Sequence, residues 1–347
     1  MKPNHLTFPS IKPSWLFLAI IFSLAQFQLV LVLYQAGVGA SIQAAKGVVD
    51  GTPHWMVFQS RILGPYLLHF ISMISGGLGK AYFIFFLMTH AVSGYLALSF
   101  SMALFRSRFA AIGAFFAFQA LFALVIAPHR SDVLAIYAWD HIGIIIFFVF
   151  SYLALSEMGW KSFLVLFVFA LLNRESAFFI SLWMVSKPIF DHASKRVSRF
   201  DFPMFWGGLA SFAIGSLVIR FLREKLLIKE TMPDLFGKPE IARQSFHFTL
   251  DSNLEYLRST VLSAGATVDF LIPVYILTVF YFSFRLARIS AGRYLSLAIV
   301  MAAFMASTIA FGVVYEVRVY LEFIPFIVMT TFLLCGLDPQ GRDIAET

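Results

Sequence analysis

The chain has 347 residues, of which 60% are hydrophobic and 13% are charged, and its mean hydropathy is +0.82. Soluble domains are roughly 45–50% apolar and about 25% charged, so this composition excludes a soluble protein. The single cysteine, Cys335, excludes an internal disulfide and a cysteine zinc site. In a membrane protein, a net charge of +7 is better explained by basic residues in cytoplasmic loops than by a nucleic-acid partner. We therefore expect one integral membrane domain over residues 1–347 and no nucleic-acid partner.

The first apolar run covers residues 15–34 and is preceded by Lys2 and Lys12. A hydrocarbon core of roughly 30 Å needs about 20 apolar residues, so this run predicts a first membrane helix with a cytoplasmic N-terminus. The run also exceeds the usual signal-peptide core of about 7 to 15 residues, which favours a retained helix. An external loop is expected over 35–80, with a short external helix at 62–78.

Seven further crossings are predicted, which makes about eight in total. Arg106 and Arg108 follow the second crossing and Lys161 follows the fourth, so the positive-inside rule puts these turns in the cytoplasm. Residues 223–262 are expected to form an external segment, and the C-terminus is expected to be cytoplasmic. The protein is expected to reside in the inner (cytoplasmic) membrane of a cell. The seven runs are 81–104, 109–127, 142–156, 204–222, 264–284, 294–315 and 319–336.

The apolar stretch over 162–186 is interrupted by Asn173, Arg174 and Glu175. A single crossing here would carry the following basic residues outside, against the charge rule, whereas two half-length helices return the chain to the cytoplasm. We therefore predict a broken or re-entrant helix pair. A non-helical turn at membrane depth needs protein or a water-filled cavity around it, so the break predicts a polar cavity near Arg174.

This topology puts many ionisable residues at the external ends of different helices. Each costs about 2.5 to 3.5 kcal/mol inside the apolar zone, so a set this large predicts one shared cavity. The ordinary alternatives are a buried ion pair at 174–175, an interfacial salt bridge at 318–322, a snorkelling Arg61, and a polar turn rather than a metal site at 129–141. The set is Asp50, His54, Arg61, His129, Arg130, Asp132, Asp140, Arg174, Glu175, Glu316, Arg318 and Glu322.

These residues resemble a known pattern. The retained first helix, an acid in the first external loop and several short motifs look like the polytopic glycosyltransferases of the GT-C superfamily and their small bacterial relatives. Members often carry two neighbouring acids in that loop, whereas Asp50 stands alone, and the soluble C-terminal domain of larger members is expected to be missing. The motifs are Arg61-x-Leu63-x-Pro65, Asp140, Asn173-Arg174-Glu175-Ser176, and Glu316-x-Arg318 ahead of Glu322 and Pro325.

The resemblance implies a polyprenyl-phosphate-linked sugar as donor, drawn from the membrane lipid phase, and transfer on the non-cytoplasmic face. Asp50 is then the expected general base, with Asp140 as the next acid. The chemistry requires no cofactor, although a divalent metal ion is compatible with it. The phosphate would be bound by Arg61, Arg174 and Arg318, and these arginines would be oriented by Asn173, Glu175, Glu316 and Glu322.

Two other functions stay open at this stage. A transporter or lipid flippase would use the broken helix as a substrate gate, and its charges would line a path across the membrane. A non-catalytic membrane subunit would use the same charges only to join helices.

Overall fold

The computed structural model describes residues 13–53, 56–127, 136–226, 248–262, 268–289 and 293–335. Over these ranges the regular structure is entirely helical, which confirms the predicted all-α class. The helices are α1 (Pro13–Asp50), α2 (Leu63–Ser75), α3 (Leu78–Phe105), α4 (Arg108–Ile126), α5 (Ala138–Leu155), α6 (Trp160–Leu171), α7 (Phe178–Ala193), α8 (Phe202–Phe221), α9 (Leu250–Leu262), α10 (Leu271–Arg288), α11 (Leu295–Phe311) and α12 (Ile324–Leu334). Short 3-10 turns cover Met56–Ser60, Glu175–Ala177, Val268–Phe270 and Val317–Phe323, and a π-helical turn covers Leu222–Leu226.

Six of these helices are long and apolar enough to cross a membrane, so the chain is an α-helical membrane protein. They are the first part of α1, then α3, α4, α5, α8 and α10, and each matches a predicted crossing. The last two predicted crossings are shorter helices than expected. α11 has 17 residues, and α12 has 11 because a 3-10 turn precedes it. The count of eight and the orientation of the termini stay predictions.

The expected loop at 35–80 is largely helical, which corrects the prediction. α1 continues to Asp50 through a kink at Tyr34, whose φ of −133° and ψ of 32° are not helical. The extension is held because Ala44 and Val48, one turn apart, are buried against Phe58 and its aromatic neighbours. The predicted short helix is present as α2. The predicted external segment holds the polar helix α9, and its residues 227–247 lie outside the described ranges.

The predicted break in the apolar stretch at 162–186 is confirmed. α6 ends at Leu171 and α7 begins at Phe178. The two helices pack side by side and run antiparallel, with Phe163 against Trp183 at a ring-centroid distance of 4.2 Å. α8 packs beside both, where Gly215 lies against Phe167 and Phe178. The turn between α6 and α7 therefore lies at the same end of the bundle as the C-terminus of α8. Whether the pair re-enters the membrane stays a prediction.

A charged network closes the opposite end of these helices. Glu157, between α5 and α6, contacts Lys187 at 3.6 Å, Arg196 at 3.2 Å and Arg293 at 3.3 Å. Burial acts to raise the pKa of Glu157, but the attraction of Lys187 and the two arginines outweighs it and holds the pKa below the usual value for glutamate. The network ties the α5–α6 turn to the ends of α7 and α11.

Candidate functional site

A cavity of about 530 Å³ lies beside the break between α6 and α7. The C-terminal end of α11 and the 3-10 turn Val317–Phe323 form its other side. Five phenylalanines give it an apolar wall: Phe58, Phe178, Phe179, Phe304 and Phe311. Four arginines and three glutamates give it a charged lining: Arg61, Arg174, Arg223, Arg318, Glu175, Glu316 and Glu322. The cavity therefore combines an apolar wall with a dense set of guanidinium groups.

Arg174 joins the helix break to α5 and to the turn before α12. Its Nη1 lies 3.1 Å from Oδ1 of Asp140 and 3.6 Å from Oε1 of Glu322. The other oxygen of Asp140 accepts the backbone N–H of Tyr137 at 2.9 Å and so caps the first turn of α5. The Asp140 side chain is fully buried. Asp140 therefore supports Arg174 from behind and does not line the cavity.

Glu175 does not pair with Arg174, although the two are adjacent in sequence. Oε2 of Glu175 lies 3.1 Å from Nη2 of Arg61, and Oε1 accepts the hydroxyl of Ser60 at 3.2 Å. Arg223, in the π-helical turn after α8, also donates to Oε1. The ordinary alternative of a buried Arg174–Glu175 ion pair is therefore not seen, because the extended backbone of Arg174 sends the two side chains to different partners, and both residues line the cavity as predicted.

Arg318 pairs with Glu316 and not with Glu322. The sequence predicts an α-helical face shared by residues 318 and 322, but this segment is a 3-10 turn, in which residues four apart do not face each other. The Arg318 guanidinium lies over the ring of Tyr137, with Cζ 4.2 Å from the centroid. Glu322 instead accepts the hydroxyl of Ser176 at 3.1 Å. Pro325 lies in the first turn of α12, where a proline costs no helical hydrogen bond.

Asn173 holds the helix break against α5. Its Nδ2 donates to the carbonyl of Trp139 at 2.8 Å, and the side chain is buried. The carbonyl of Leu172 accepts the N–H of Leu63 at 2.9 Å, which ties the same break to the start of α2. Asn173 therefore positions the arginine that follows it.

Asp50 lies apart from this cavity. It forms an ion pair with Lys46 at 3.1 Å, its side chain is 45% exposed, and it lines a smaller cavity of about 150 Å³ between α1 and α2. The structure thus brings together the three predicted phosphate-binding arginines and the three predicted glutamates, but neither predicted base is on the cavity wall. The catalytic roles of Asp50 and Asp140 stay predictions.

Arg223 is a cavity residue that the sequence analysis missed. It follows the predicted crossing 204–222 directly, on the side expected to be external, so the positive-inside rule puts it at the same end of the bundle as the other arginines. His54, His129, Arg130 and Asp132 lie outside the described residues. Within the described part of the chain, no three His, Cys, Asp or Glu side chains are grouped as metal ligands.

Three guanidinium groups keep unused donors. Nε of Arg61, Nε of Arg223 and Nη1 of Arg318 are buried and have no hydrogen-bond partner among the described residues. A buried donor left without an acceptor costs about 1–3 kcal/mol. A ligand rich in acceptor oxygens would relieve that cost.

No protein-family model matches the sequence, and no curated protein or solved structure matches it significantly.

Proposed function

We propose that this protein is a membrane glycosyltransferase that takes a sugar from a polyprenyl-phosphate-linked donor, and that the arginine-lined cavity binds the donor phosphate. The observation that carries the proposal is the presence of four arginines and five phenylalanines in one cavity of an apolar helical bundle. Guanidinium groups remain charged and bind phosphate through two parallel hydrogen bonds. The phenylalanine wall suits an isoprenoid chain arriving from the bilayer.

The side chains that line the cavity fit the chemistry of sugar transfer. The bond between the sugar C1 and the phosphate oxygen breaks, and an acceptor hydroxyl oxygen bonds to C1 as its proton passes to a carboxylate. The polyprenyl phosphate leaves as an anion, so it needs cations and no proton donor. Arginines aimed at the leaving phosphate and one available carboxylate are sufficient.

Glu316 is the carboxylate that best fits the general base. It lines the cavity with its side chain 19% exposed, both hydrogen bonds from Arg318 reach Oε2, and within the described residues no hydrogen bond reaches Oε1, which suits that oxygen to accept a substrate proton. The predicted bases fit less well. Asp50 lines a different cavity, and both oxygens of Asp140 are engaged in the protein interior.

The distribution of charge favours transfer over transport. The cavity arginines gather at one end of the bundle, and the Glu157 network ties the helices together at the other. A transport path needs polar groups at both ends that a substrate can reach. If the end that holds the Glu157 network faces the cytoplasm, as the positive-inside rule predicts, the cavity faces the opposite side of the membrane.

The test is an assay of the full chain in proteoliposomes with a panel of polyprenyl-phosphate sugars and a cell-envelope extract that supplies acceptor hydroxyl groups. Release of polyprenyl phosphate is measured, because every donor of this class yields it. We expect release by the unaltered protein and a loss of about 10²- to 10⁴-fold in Glu316→Gln, the range typical of a positioned base. Glu224→Gln is the matched control, since Glu224 is 43% exposed and pairs with Arg220 outside the cavity. Release equal to that of empty liposomes with every donor would overturn the proposal.

A further inference from the structure

Glu175 is held unusually closely for a residue on a cavity wall. Three donors converge on its carboxylate: Arg61, Arg223 and the hydroxyl of Ser60. These donors come from two separate parts of the chain, because Ser60 and Arg61 are adjacent residues before α2 and Arg223 lies in the turn after α8. The Glu175 side chain is nevertheless 27% exposed. An anionic group thus occupies the meeting point of two arginines inside an open cavity.

This arrangement is the one that a phosphate group would require. A carboxylate and a phosphate compete for the same guanidinium N–H groups. Arg61 and Arg223 each retain a buried Nε–H with no partner in the described structure, so the two oxygens of Glu175 leave donors unused. A terminal phosphate brings three acceptor oxygens and is able to satisfy more of them.

We propose that Glu175 is an internal counter-ion that occupies the phosphate position in the free protein, and that the donor phosphate displaces it from Arg61 and Arg223. This inference rests on the proposed function, since it concerns the same cavity. Arg174 and Arg318 keep their own carboxylates, Asp140 and Glu316, when the phosphate enters.

Glu175 is better placed for displacement than the other acid near the break. It begins a three-residue 3-10 turn between two helices, so its side chain can move without unwinding a long helix. Glu322, in contrast, is 1% exposed and its carboxylate lies directly against Gly143 of α5. A carboxylate that is buried to this extent has less room to move than Glu175, whose side chain is 27% exposed.

If Glu175 competes with the phosphate in this way, it lowers the affinity of the cavity for a polyprenyl phosphate. Replacing its carboxylate by an uncharged amide of the same shape removes the competitor and leaves both arginines free. Glu175→Gln should therefore bind a polyprenyl phosphate about tenfold more tightly than the unaltered protein. If Glu175 instead helped to bind the phosphate, the same substitution would weaken binding. Glu224→Gln, next to Arg223 but outside the cavity, should leave the affinity unchanged.

The experiment measures binding of farnesyl phosphate to the full chain in lipid nanodiscs, with farnesol and inorganic phosphate as the uncharged and lipid-free probes. We expect tighter binding of farnesyl phosphate in Glu175→Gln, an intermediate gain in Glu175→Asp, and a much smaller gain when Glu175→Gln is combined with Arg223→Gln. The dependence on Arg223 separates displacement from a general change in the cavity. Glu175→Asp keeps the charge and so keeps the test open if the amide variant fails to fold.

The outcomes distinguish the two proposals. Binding by the unaltered protein with equal or weaker binding in both Glu175 variants overturns the counter-ion and leaves the glycosyltransferase standing. Equal binding and equal tightening with inorganic phosphate keep the counter-ion and overturn the lipid-linked donor. Failure of every variant to bind farnesyl phosphate overturns both.

Discussion

Gly143 provides the space that the Glu322 carboxylate occupies. A Cβ atom at Gly143 would lie 2.6 Å from Oε1 of Glu322 and 3.2 Å from its Cγ. The same Oε1 accepts the Ser176 hydroxyl and faces Arg174. A backbone position on α5, where the sequence has no side chain, therefore decides where a cavity carboxylate lies.

Gly143→Ala should consequently lower activity more than the addition of a single methyl group would suggest. The added methyl group pushes Glu322 away from Arg174, and overpacking of this kind costs about 1–3 kcal/mol. That cost outweighs the gain of roughly 1 kcal/mol that alanine brings to a helix. We expect at least a tenfold loss of polyprenyl phosphate release and a lower melting temperature. Gly79→Ala is the control, because nothing lies within 4 Å of a Cβ at Gly79, and equal behaviour of the two variants would contradict the argument.

Asp140 and Asp50 should respond differently to the same substitution. Asp140→Asn removes the charge of a fully buried carboxylate that pairs with Arg174, whose side chain is 15% exposed, so the cost should approach the roughly 3–5 kcal/mol typical of a broken buried pair. Asp50→Asn breaks an exposed pair with Lys46, for which about 0–1 kcal/mol is usual. The free energy of unfolding of each variant is measured by denaturant titration in detergent.

The two variants also separate a supporting role from catalysis. With Glu316 as base, Asp50→Asn keeps activity within a few-fold of the unaltered protein. A normally folded and abundant Asp50→Asn protein with activity reduced by about 10²-fold or more would instead return the base to Asp50, as the first-loop pattern predicts.

The helix break was predictable from the sequence because it is local, and the clustering of charges was predictable because it follows from the membrane topology. Asn173, Arg174 and Glu175 interrupt an apolar run, and the positive-inside rule then puts Arg61 and Arg318 at the same end. Their pairing was not readable. Arg174 meets Asp140 across 34 residues of sequence, and that contact is set by how α5 packs against the break.

The position of Asp50 was mispredicted for a related reason. A loop was expected where the first apolar run ends, but burial of Ala44 and Val48 carries the helix past the kink at Tyr34. The last turn of α1 then directs Asp50 toward Lys46 and the groove beside α2. Tertiary packing outweighed the local preference.

The Glu157 network should make stability depend on acidic pH. Because the pKa of Glu157 is lowered in the folded protein, its contribution is full above the unfolded-state pKa of about 4.3 and is lost as the pH falls through the lower folded-state value. Melting temperature measured from pH 6 down to about pH 3 should therefore fall less steeply in Glu157→Gln than in the unaltered protein. Parallel curves for the two proteins would exclude this role for Glu157.

Cysteine labelling should put the two ends of the bundle on opposite sides of the membrane. In a Cys335→Ser background, Ser194→Cys lies beyond α7 at the Glu157 end, and Ser259→Cys lies on α9; both positions are exposed. We expect an impermeant reagent to reach residue 194 only from the cytoplasm and residue 259 only from outside. Labelling of residue 194 from outside would reverse the predicted topology and the face on which the cavity opens.

The most direct test of the central claim is an experimental structure of the full chain with a bound polyprenyl phosphate. We predict phosphate density within hydrogen-bonding distance of Arg61 and Arg223, the isoprenoid chain along the wall that includes Phe179 and Phe304, and Glu175 turned away from both arginines. A phosphate bound instead beside Lys46 and His69 in the smaller cavity, or at the Glu157 end of the bundle, would contradict the account.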